Sequence, residues 1–433
     1  MKFTIIMLSH TYCIILIFIR IIFIESWISG LDRIMADNRI PVDVEKLIIK
    51  YFRSGFENVD ICSILRKNHN IKMKVRTLAR RLKELGLRRR NIVESKRELI
   101  VYAIIKELHS SGFNLGYRSM WYRLILKYNL TVKRETVYKI MKIADPDGMS
   151  KRFGNKLKRR TYHTCGPNRQ WHLDGYDKLA QFGIFIHACM DGWSTFIIWA
   201  EASSTNKDPR VIAYYYLNTV KKFNLVPVSI RSDKGSENTL IDVLQMGLRS
   251  KHDDPLSGTK SFIKGKSTAN QRIESWWGQM RKQNADFYIQ LFKEMRQKQL
   301  FNDSKLHVKC LQYSFGPLIK KDLEIMKNQW NSHYIRKQNG RSTVYGKPNV
   351  LYNLPEKMNS KDYKQSVNEA DVNKLIKKFT TQPKLVDDKF KELVSLLIPN
   401  VSVPETPKEA LDLYKEILKL IEQRKNQLRN NNV

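Results

Sequence analysis

Three short segments that carry one acidic residue each constrain the fold of this 433-residue chain more than any other sequence feature. The acids are Asp174 in residues 171–175, Asp233 in residues 231–238 and Glu274 in residues 270–277. The two Asp segments adjoin β-rich stretches, and the Glu segment has the composition of a helix. The sequence therefore predicts an α/β domain in which two strands and one helix bring three carboxylates together.

The residues around the first two acids have the composition of strands. Asp174 opens a run in which residues 180–190 and 195–200 are rich in Ile, Phe, Ala and Trp, and Asp191 with Gly192 between them predicts a hairpin turn. Asp233 follows a short apolar strand at residues 226–230, with two residues between them. It should therefore lie at a strand end, where the sites of open α/β sheets gather.

The third acid lies in residues 269–283, which contain no Pro and favour a helix. Four, seven and eight residues after Glu274 come Gly278, Arg281 and Lys282, which would share its helix face. An acid followed on one face by two bases suits a cation held beside a phosphate chain. We therefore predict that Arg281 and Lys282 contact DNA.

Two Asp and one Glu form a set of hard oxygen ligands, which Mg²⁺ or Mn²⁺ prefers. Two such ions, about 3.5–4 Å apart, would activate an attacking water or hydroxyl and stabilise the leaving oxygen at a phosphodiester. Other carboxylates nearby are Asp177, Asp191 and Glu237. Asp191 fits the hairpin turn better, whereas Glu237 is a credible rival because it follows Asp233 by four residues. We interpret the remaining conspicuous side chains as structural: His172, Trp276 and Trp277.

The three segments resemble the catalytic core of the DDE integrase and transposase superfamily, which has the RNase H-like fold. The resemblance covers residues 117–345 and is closest to animal integrase core domain-containing proteins related to transposable elements. It implies a mixed five-stranded sheet with flanking helices, in which Asp174, Asp233 and Glu274 bind two Mg²⁺ or Mn²⁺ ions and catalyse DNA hydrolysis and strand transfer. The spacing from Asp233 to Glu274 slightly exceeds that typical of retroviral integrases, and we place the surplus in residues 250–266.

Composition supports a nucleic-acid partner. The formal net charge is +35 and the pI is about 9.9, and neutralising phosphates with such a chain releases counterions. The five cysteines are scattered, which is typical of a reducing compartment and argues against a structural zinc site. The zinc module that precedes the core in many retroviral-type integrases is therefore not expected here.

The length predicts two or three domains. We divide the chain into an apolar segment (1–34), a helix-turn-helix-like module (35–92), a second such region with a basic linker (93–160), the core (161–345) and a helical C-terminal region (346–433). The apolar segment is either a marginal membrane helix or an upstream gene-model extension before Met35. We favour the extension, because a basic DNA enzyme has no use for a membrane anchor.

Two helical regions before the core end in basic helices. Apolar residues at helical spacing predict three helices in residues 41–90, and the same scheme recurs in residues 95–147. The basic residues that lie off the apolar stripes are Arg76, Arg80, Arg81, Lys133, Arg134 and Lys139. In a helix-turn-helix the last helix enters the major groove, so we predict that these six contact DNA. The alternative is a small helical bundle with a solvated basic face.

The C-terminal region has a weaker pattern. Ala410, Tyr414, Ile417 and Ile421 form an apolar stripe that is too short to identify a coiled coil. It belongs either to an oligomerisation helix or to a helix that packs on the core.

These observations favour an integrase or transposase that acts in the nucleus on element ends and target duplex, without a small-molecule cofactor or a membrane. Joining two DNA ends implies at least a dimer, an expectation that comes from the resemblance. The alternative is a domesticated protein that binds DNA without cutting it. An RNase H-like nuclease for RNA–DNA hybrids shares the acids, but two helix-turn-helix units favour B-form duplex.

Overall fold

The structure is a computed structural model that describes residues 42–89, 93–146, 164–265, 270–337 and 344–430. The chain forms two compact units, Met1–Leu87 and Arg88–Val433. The apolar segment 1–34 and the basic linker 151–160 lie outside the described residues. The bounds predicted for the five segments stay predictions.

The first unit contains the three predicted helices, α1 (Val42–Arg53), α2 (Asn58–His69) and α3 (Val75–Glu84). Their apolar stripes are buried against one another: Val44, Ile48, Ile61, Ile64, Leu65, Leu78 and Leu82. Gly86 follows α3 with a φ of +69°, the left-handed conformation that glycine adopts after a helix end.

The second unit begins with α4 (Arg97–Leu108), α5 (Tyr117–Tyr128) and α6 (Arg134–Ala144). Both α2 and α5 have 12 residues and end at a left-handed Asn, Asn70 or Asn129. After the same interval each continues through a Lys N-cap, Lys74 or Lys133, into a basic helix. The recurrence predicted from the sequence is therefore present in the backbone.

The core contains the predicted mixed sheet, in the order β3-β2-β1-β4-β5. Its strands are β1 (Gln170–Tyr176), β2 (Phe185–Asp191), β3 (Ile197–Ser203), β4 (Ser229–Ser232) and β5 (Phe262–Lys264). The pairs β1–β2 and β2–β3 are antiparallel, whereas β4 is parallel to both β1 and β5. The fold class and the hairpin are confirmed.

Two local predictions about the core are wrong. Asp174 lies within β1, which already begins at Gln170, and residues 180–182 form a short 3₁₀-helix before β2. In addition, residues 250–266 contain the edge strand β5, which we did not predict, while the location of the surplus spacing stays a prediction. A strand of three residues is too short for its alternation to be read from sequence.

Helices cover both faces of the sheet. They are α7 (Pro209–Phe223), α8 (Thr239–Arg249), α9 (Gln271–Met280), α10 (Asp286–Gln297), α11 (Lys305–Ser332), α12 (Pro348–Asn353), α13 (Glu369–Phe379), α14 (Asp388–Leu397) and α15 (Pro407–Asn430). One core cluster joins Trp171 and Leu173 of β1 to α7, α8 and α13. The other joins Tyr176 of β1 to α9, α10, α11, α14 and α15. Alternate residues of β1 thus face opposite clusters, as strand geometry requires.

The last helix packs on the core, which is one of the two alternatives that the sequence left open. Ala410, Tyr414, Ile417 and Ile421 are buried in the cluster with α9–α11. The Tyr414 hydroxyl also donates a hydrogen bond to the carbonyl oxygen of Leu300, at 2.8 Å. No helix within the described residues is long and apolar enough to span a membrane.

The second helical region is attached to the core within this unit. The Tyr122 hydroxyl donates to the carbonyl oxygen of Ser332 (3.2 Å), and Lys127 Nζ lies 3.5 Å from Asp322 Oδ1. The Phe113 and Phe287 rings contact one another at a centroid distance of 6.1 Å. Helix α5 therefore packs on α11. The basic face of the following helix, α6, is exposed.

Candidate active site

The pairing of β1 with β4 brings the first two acids to the same edge of the sheet. His172 of β1 pairs with Arg231 of β4, and the two strands run in parallel. Continuing that register by two residues places Asp174 opposite Asp233, the residue that follows the end of β4. The prediction that Asp233 lies at a strand end is confirmed.

The third acid is positioned by Asn270, which precedes the first residue of α9. Its Oδ1 lies 2.6 Å from Nδ1 of the buried His172, and its Nδ2 donates to the carbonyl oxygen of Leu173 at 2.7 Å. The start of α9 is thereby attached to β1 beside Asp174. Glu274 lies one helical turn after Asn270 along α9.

The three carboxyl groups are close enough to influence one another. Burial, together with the negative charges of Glu274 and Asp233, raises the pKa of Asp174 to about 7, although a hydrogen bond from Trp277 lowers it. Burial and the charge of Asp233 also raise the pKa of Glu274. Raised pKa values in a cluster of acids are typical of functional sites and of sites that a cation would stabilise.

Trp277 contacts this cluster directly, which the sequence did not reveal. Its Nε1–H donates a hydrogen bond to Asp174 Oδ2 at 2.8 Å, and its ring lies beside Tyr176, at 5.2 Å between centroids. The prediction that Trp276 and Trp277 pack in the core is confirmed, since both are buried. The hydrogen bond is an additional role that depends on two elements far apart in the chain.

The loop after β4 holds Asp233 and Glu237 together. Asp233 Oδ1 accepts hydrogen bonds from the Gly235 amide (3.2 Å) and from Asn238 Nδ2 (3.3 Å). The same amide nitrogen of Asn238 donates to Glu237 Oε1 at 3.3 Å. A Cβ at Gly235 would lie 2.0 Å from Glu237 Oε1, so a larger residue there would displace the end of the Glu237 side chain. Glu237 thus stays a neighbour of the site and a rival ligand.

Asp191 has a structural role, as we predicted. It is fully buried and accepts hydrogen bonds from four donors in the hairpin and the preceding loop: Asn168 N, Trp193 N, Ser194 N and Ser194 Oγ. Because these four donors occupy its carboxylate, Asp191 is not available to a cation. Asp177, in contrast, is exposed, and Asn206 Nδ2 donates a hydrogen bond to it at 3.3 Å.

The chemistry of the donors fits a divalent cation. Asp174, Asp233 and Glu274 supply only carboxylate oxygens, which Mg²⁺ and Mn²⁺ prefer, and a cation would relieve the repulsion that raises two of their pKa values. Across the described ranges, however, no three His, Cys, Asp or Glu side chains converge closely enough to form a complete set of ligands. The side chains would therefore have to adjust when an ion binds.

The helix that carries Glu274 changes character at the basic residues predicted to contact DNA. Its α-helical part ends at Met280, and residues Arg281–Ala285 form a π-helical turn. The contact of Arg281 and Lys282 with DNA stays a prediction. Arg281 Nε pairs with Asp286 Oδ1 at 2.9 Å, while Lys282 is exposed. Two further bases near the site, Arg231 and Arg272, act electrostatically on His172.

The basic residues of the helical regions are mostly exposed, as predicted. Arg76 and Arg80 are exposed on α3, and Lys133, Arg134 and Lys139 are exposed at or on α6. Arg81 differs, because its side chain is only 17% exposed and pairs with Glu84 at 3.1 Å. Arg81 adjoins the apolar stripe of Leu78 and Leu82, and its contact with DNA stays a prediction.

The sheet order and the helices on both faces are those of an RNase H-like α/β domain, and the candidate site lies at the end of its central strands. Residues 161–355 match the family model described as an integrase core domain. This segment therefore carries an integrase core domain, as the resemblance implied, whereas a particular closeness to animal proteins stays a prediction. None of the curated proteins compared with the chain matches it.

Proposed function

We propose that this protein is a DNA integrase or transposase that hydrolyses one strand at an element end and joins the freed 3′-hydroxyl to target DNA. The observation that supports the proposal is that Asp174 and Asp233 lie at the same end of neighbouring parallel strands in an integrase core domain, with Glu274 close enough to raise the pKa of Asp174. Both reactions use the same in-line displacement at phosphorus, so one set of carboxylates serves both.

In this proposal Asp174, Asp233 and Glu274 hold Mg²⁺ or Mn²⁺. When bound, such ions polarise the scissile phosphate and stabilise charge on the attacking and leaving oxygens. The chain itself fixes the geometry: Asp174 lies in β1, Asp233 directly follows β4, and Asn270 attaches the helix that carries Glu274. No small-molecule cofactor takes part.

The two basic helices would bind duplex DNA. Arg80 of α3 and Lys139 of α6 occupy equivalent positions in the repeated arrangement, and both are exposed. Each also has an acidic neighbour one turn away, Glu84 or Glu135, which limits its side chain without burying it. With a net charge of +35, we further propose a nuclear protein that assembles on DNA as a homo-oligomer.

Arg80→Ala and Lys139→Ala should each weaken binding to duplex DNA and lower the slope of log K against log salt by about 1, since each removes about one phosphate contact. Fluorescence anisotropy over a salt series measures both quantities. Lys298→Ala, which removes a lysine from an exposed pair with Glu294 on a different helix, is the control. An unchanged salt slope in both variants would contradict a phosphate contact at these positions.

The catalytic proposal is tested by nicking of supercoiled plasmid by the full chain with Mn²⁺. We expect nicking by the wild type, its loss with EDTA, and its loss in Asp233→Asn with DNA binding retained. Glu237→Gln is the matched control, because the same loop holds a second carboxylate. Loss of nicking in Glu237→Gln but not in Asp233→Asn would transfer the role to the rival.

The alternative, a domesticated protein that binds DNA without cutting, makes a different prediction for the same assay. Wild type and Asp233→Asn would then bind DNA equally and neither would nick it, on plasmid or on the element end that flanks the gene. Parallel loss of binding and nicking in Asp233→Asn would contradict the separation between binding helices and catalytic core.

A further inference from the structure

Trp277 is placed by two periodicities against the acid of β1. It follows Glu274 by three residues, so both side chains project from the same face of α9. Asp174 and Tyr176 are two residues apart in β1, so their side chains lie on the same face of the strand. The indole therefore lies between these two strand residues, with Tyr176 against its ring and Asp174 Oδ2 at its nitrogen.

The hydrogen bond occupies one defined oxygen of the carboxylate. Trp277 Nε1 lies 2.8 Å from Asp174 Oδ2, and both side chains are at most 9% exposed. An indole N–H is a donor only, so it cannot itself bind a cation. The hydrogen bond from Trp277 restricts rotation of the Asp174 carboxylate and therefore fixes the orientation of Oδ1. It also reduces the capacity of Oδ2 to accept further partners.

We infer that Trp277 is a positioning residue for the cation site, and that its N–H sets which oxygen of Asp174 faces the cation. This inference rests on the proposed function, because it assumes that Asp174 is a metal ligand. Mg²⁺ requires nearly ideal octahedral geometry, whereas Mn²⁺ binding is less dependent on it. Loss of the N–H should therefore affect Mg²⁺-supported chemistry more than Mn²⁺-supported chemistry.

The adjacent tryptophan provides a matched control. Trp276 lies on the same helix, is fully buried, and contacts Trp277 at 4.7 Å between centroids. Its Nε1–H, however, has no acceptor among the described residues. Phe at either position removes an indole of the same size from the same core, but only Trp277→Phe removes a hydrogen bond to Asp174.

The test is calorimetric titration of Mn²⁺ into the full chain, with melting temperatures measured in parallel. We expect Trp277→Phe to bind Mn²⁺ about 10–100-fold more weakly, the range found when the partner of a metal ligand is removed. Trp276→Phe should bind Mn²⁺ as tightly as the wild type. Both variants should melt within a few degrees of each other, so a difference in affinity would not come from a difference in stability. The ratio of Mg²⁺- to Mn²⁺-supported nicking should fall about tenfold or more in Trp277→Phe alone.

The outcomes separate this inference from the proposed function. If the wild type binds Mn²⁺, Asp174→Asn does not, and Trp277→Phe equals the wild type, the inference is overturned and the metal site stands. Equal binding by the wild type and Asp174→Asn would instead overturn the metal site. If Trp277→Phe fails to fold, the wild type can be titrated with Mg²⁺ and followed by NMR. We then expect one of its eight indole N–H signals to shift, and the same signal not to shift in Asp174→Asn. The absence of any shift in the wild type would overturn the inference.

Discussion

Asp174→Asn is expected to abolish metal-dependent nicking, by at least about 10³-fold, and to make the metal-free protein more stable. The first effect corresponds to about 4 kcal/mol of transition-state stabilisation that the carboxylate would provide through the cation. The second follows from burial and from the charges of Glu274 and Asp233, which raise the pKa of Asp174 to about 7. A group whose pKa is raised on folding costs stability once the pH exceeds its unfolded value.

The upward shift of the Asp174 pKa determines the pH range in which Asp174→Asn should be more stable than the wild type. The unfolded carboxyl ionises near pH 4 and the folded one near pH 7, so the free energy of unfolding falls as the pH rises through that interval. We expect Asp174→Asn to gain about 2–4 kcal/mol above pH 7 and little at pH 4. Thermal unfolding across this range measures the gain, and Mn²⁺ should raise the melting temperature of the wild type only.

Asp177→Asn is the matched control, because it removes the same charge three residues away at an exposed position. It should change neither nicking nor the melting temperature appreciably. A decrease of both nicking and stability in Asp174→Asn would indicate that this carboxylate supports the fold, and would contradict its assignment as a cation ligand.

Arg123→Met should destabilise the second unit by about 3–5 kcal/mol, because it leaves a buried carboxylate with too few partners. Arg123 and Glu107 are both fully buried, and Arg123 Nη1 donates to Glu107 Oε2 at 2.9 Å. Lys127 Nζ reaches the other oxygen of Glu107 at 2.9 Å and also lies near Asp322 of the long helix. This network joins the second helical region to the core.

The acid sensitivity of this network has a defined direction. Burial alone would raise the pKa of Glu107, but Arg123 and Lys127 lower it to about 2. Its contribution to stability is therefore present above about pH 4.5 and is lost as the pH falls toward 2. Arg123→Met should shift the acid-unfolding midpoint upward, as measured by circular dichroism.

Two variants test whether the cost comes from the unpaired charge. Lys298→Met removes a charge from an exposed pair with Glu294 and should cost less than about 1 kcal/mol. The double variant Arg123→Met with Glu107→Met should recover part of the loss, because no buried carboxylate remains. If Arg123→Met were as mild as Lys298→Met, the network would not hold this region on the core.

The helices and the main strands could be predicted because their signals are local. The stripes of Leu78 and Leu82 on α3 and of Ala410 and Tyr414 on α15 recur at the helical period, and the predicted faces are the buried ones. Features without a repeating pattern of apolar residues were not predicted. The change to a π-helical turn at Arg281 and the three-residue strand β5 have no periodic signature.

The sequence by itself determined which residues are the candidates for the chemistry: three acids in order, in a strand, after a strand and in a helix, on a strongly basic chain. Only the tertiary structure decided what each neighbouring group does. Four donors surround Asp191, whereas Asp174 accepts a hydrogen bond from an indole 103 residues away. The physical reason is that periodicity reveals which face of an element is buried, while a hydrogen-bond partner depends on how separate elements pack together.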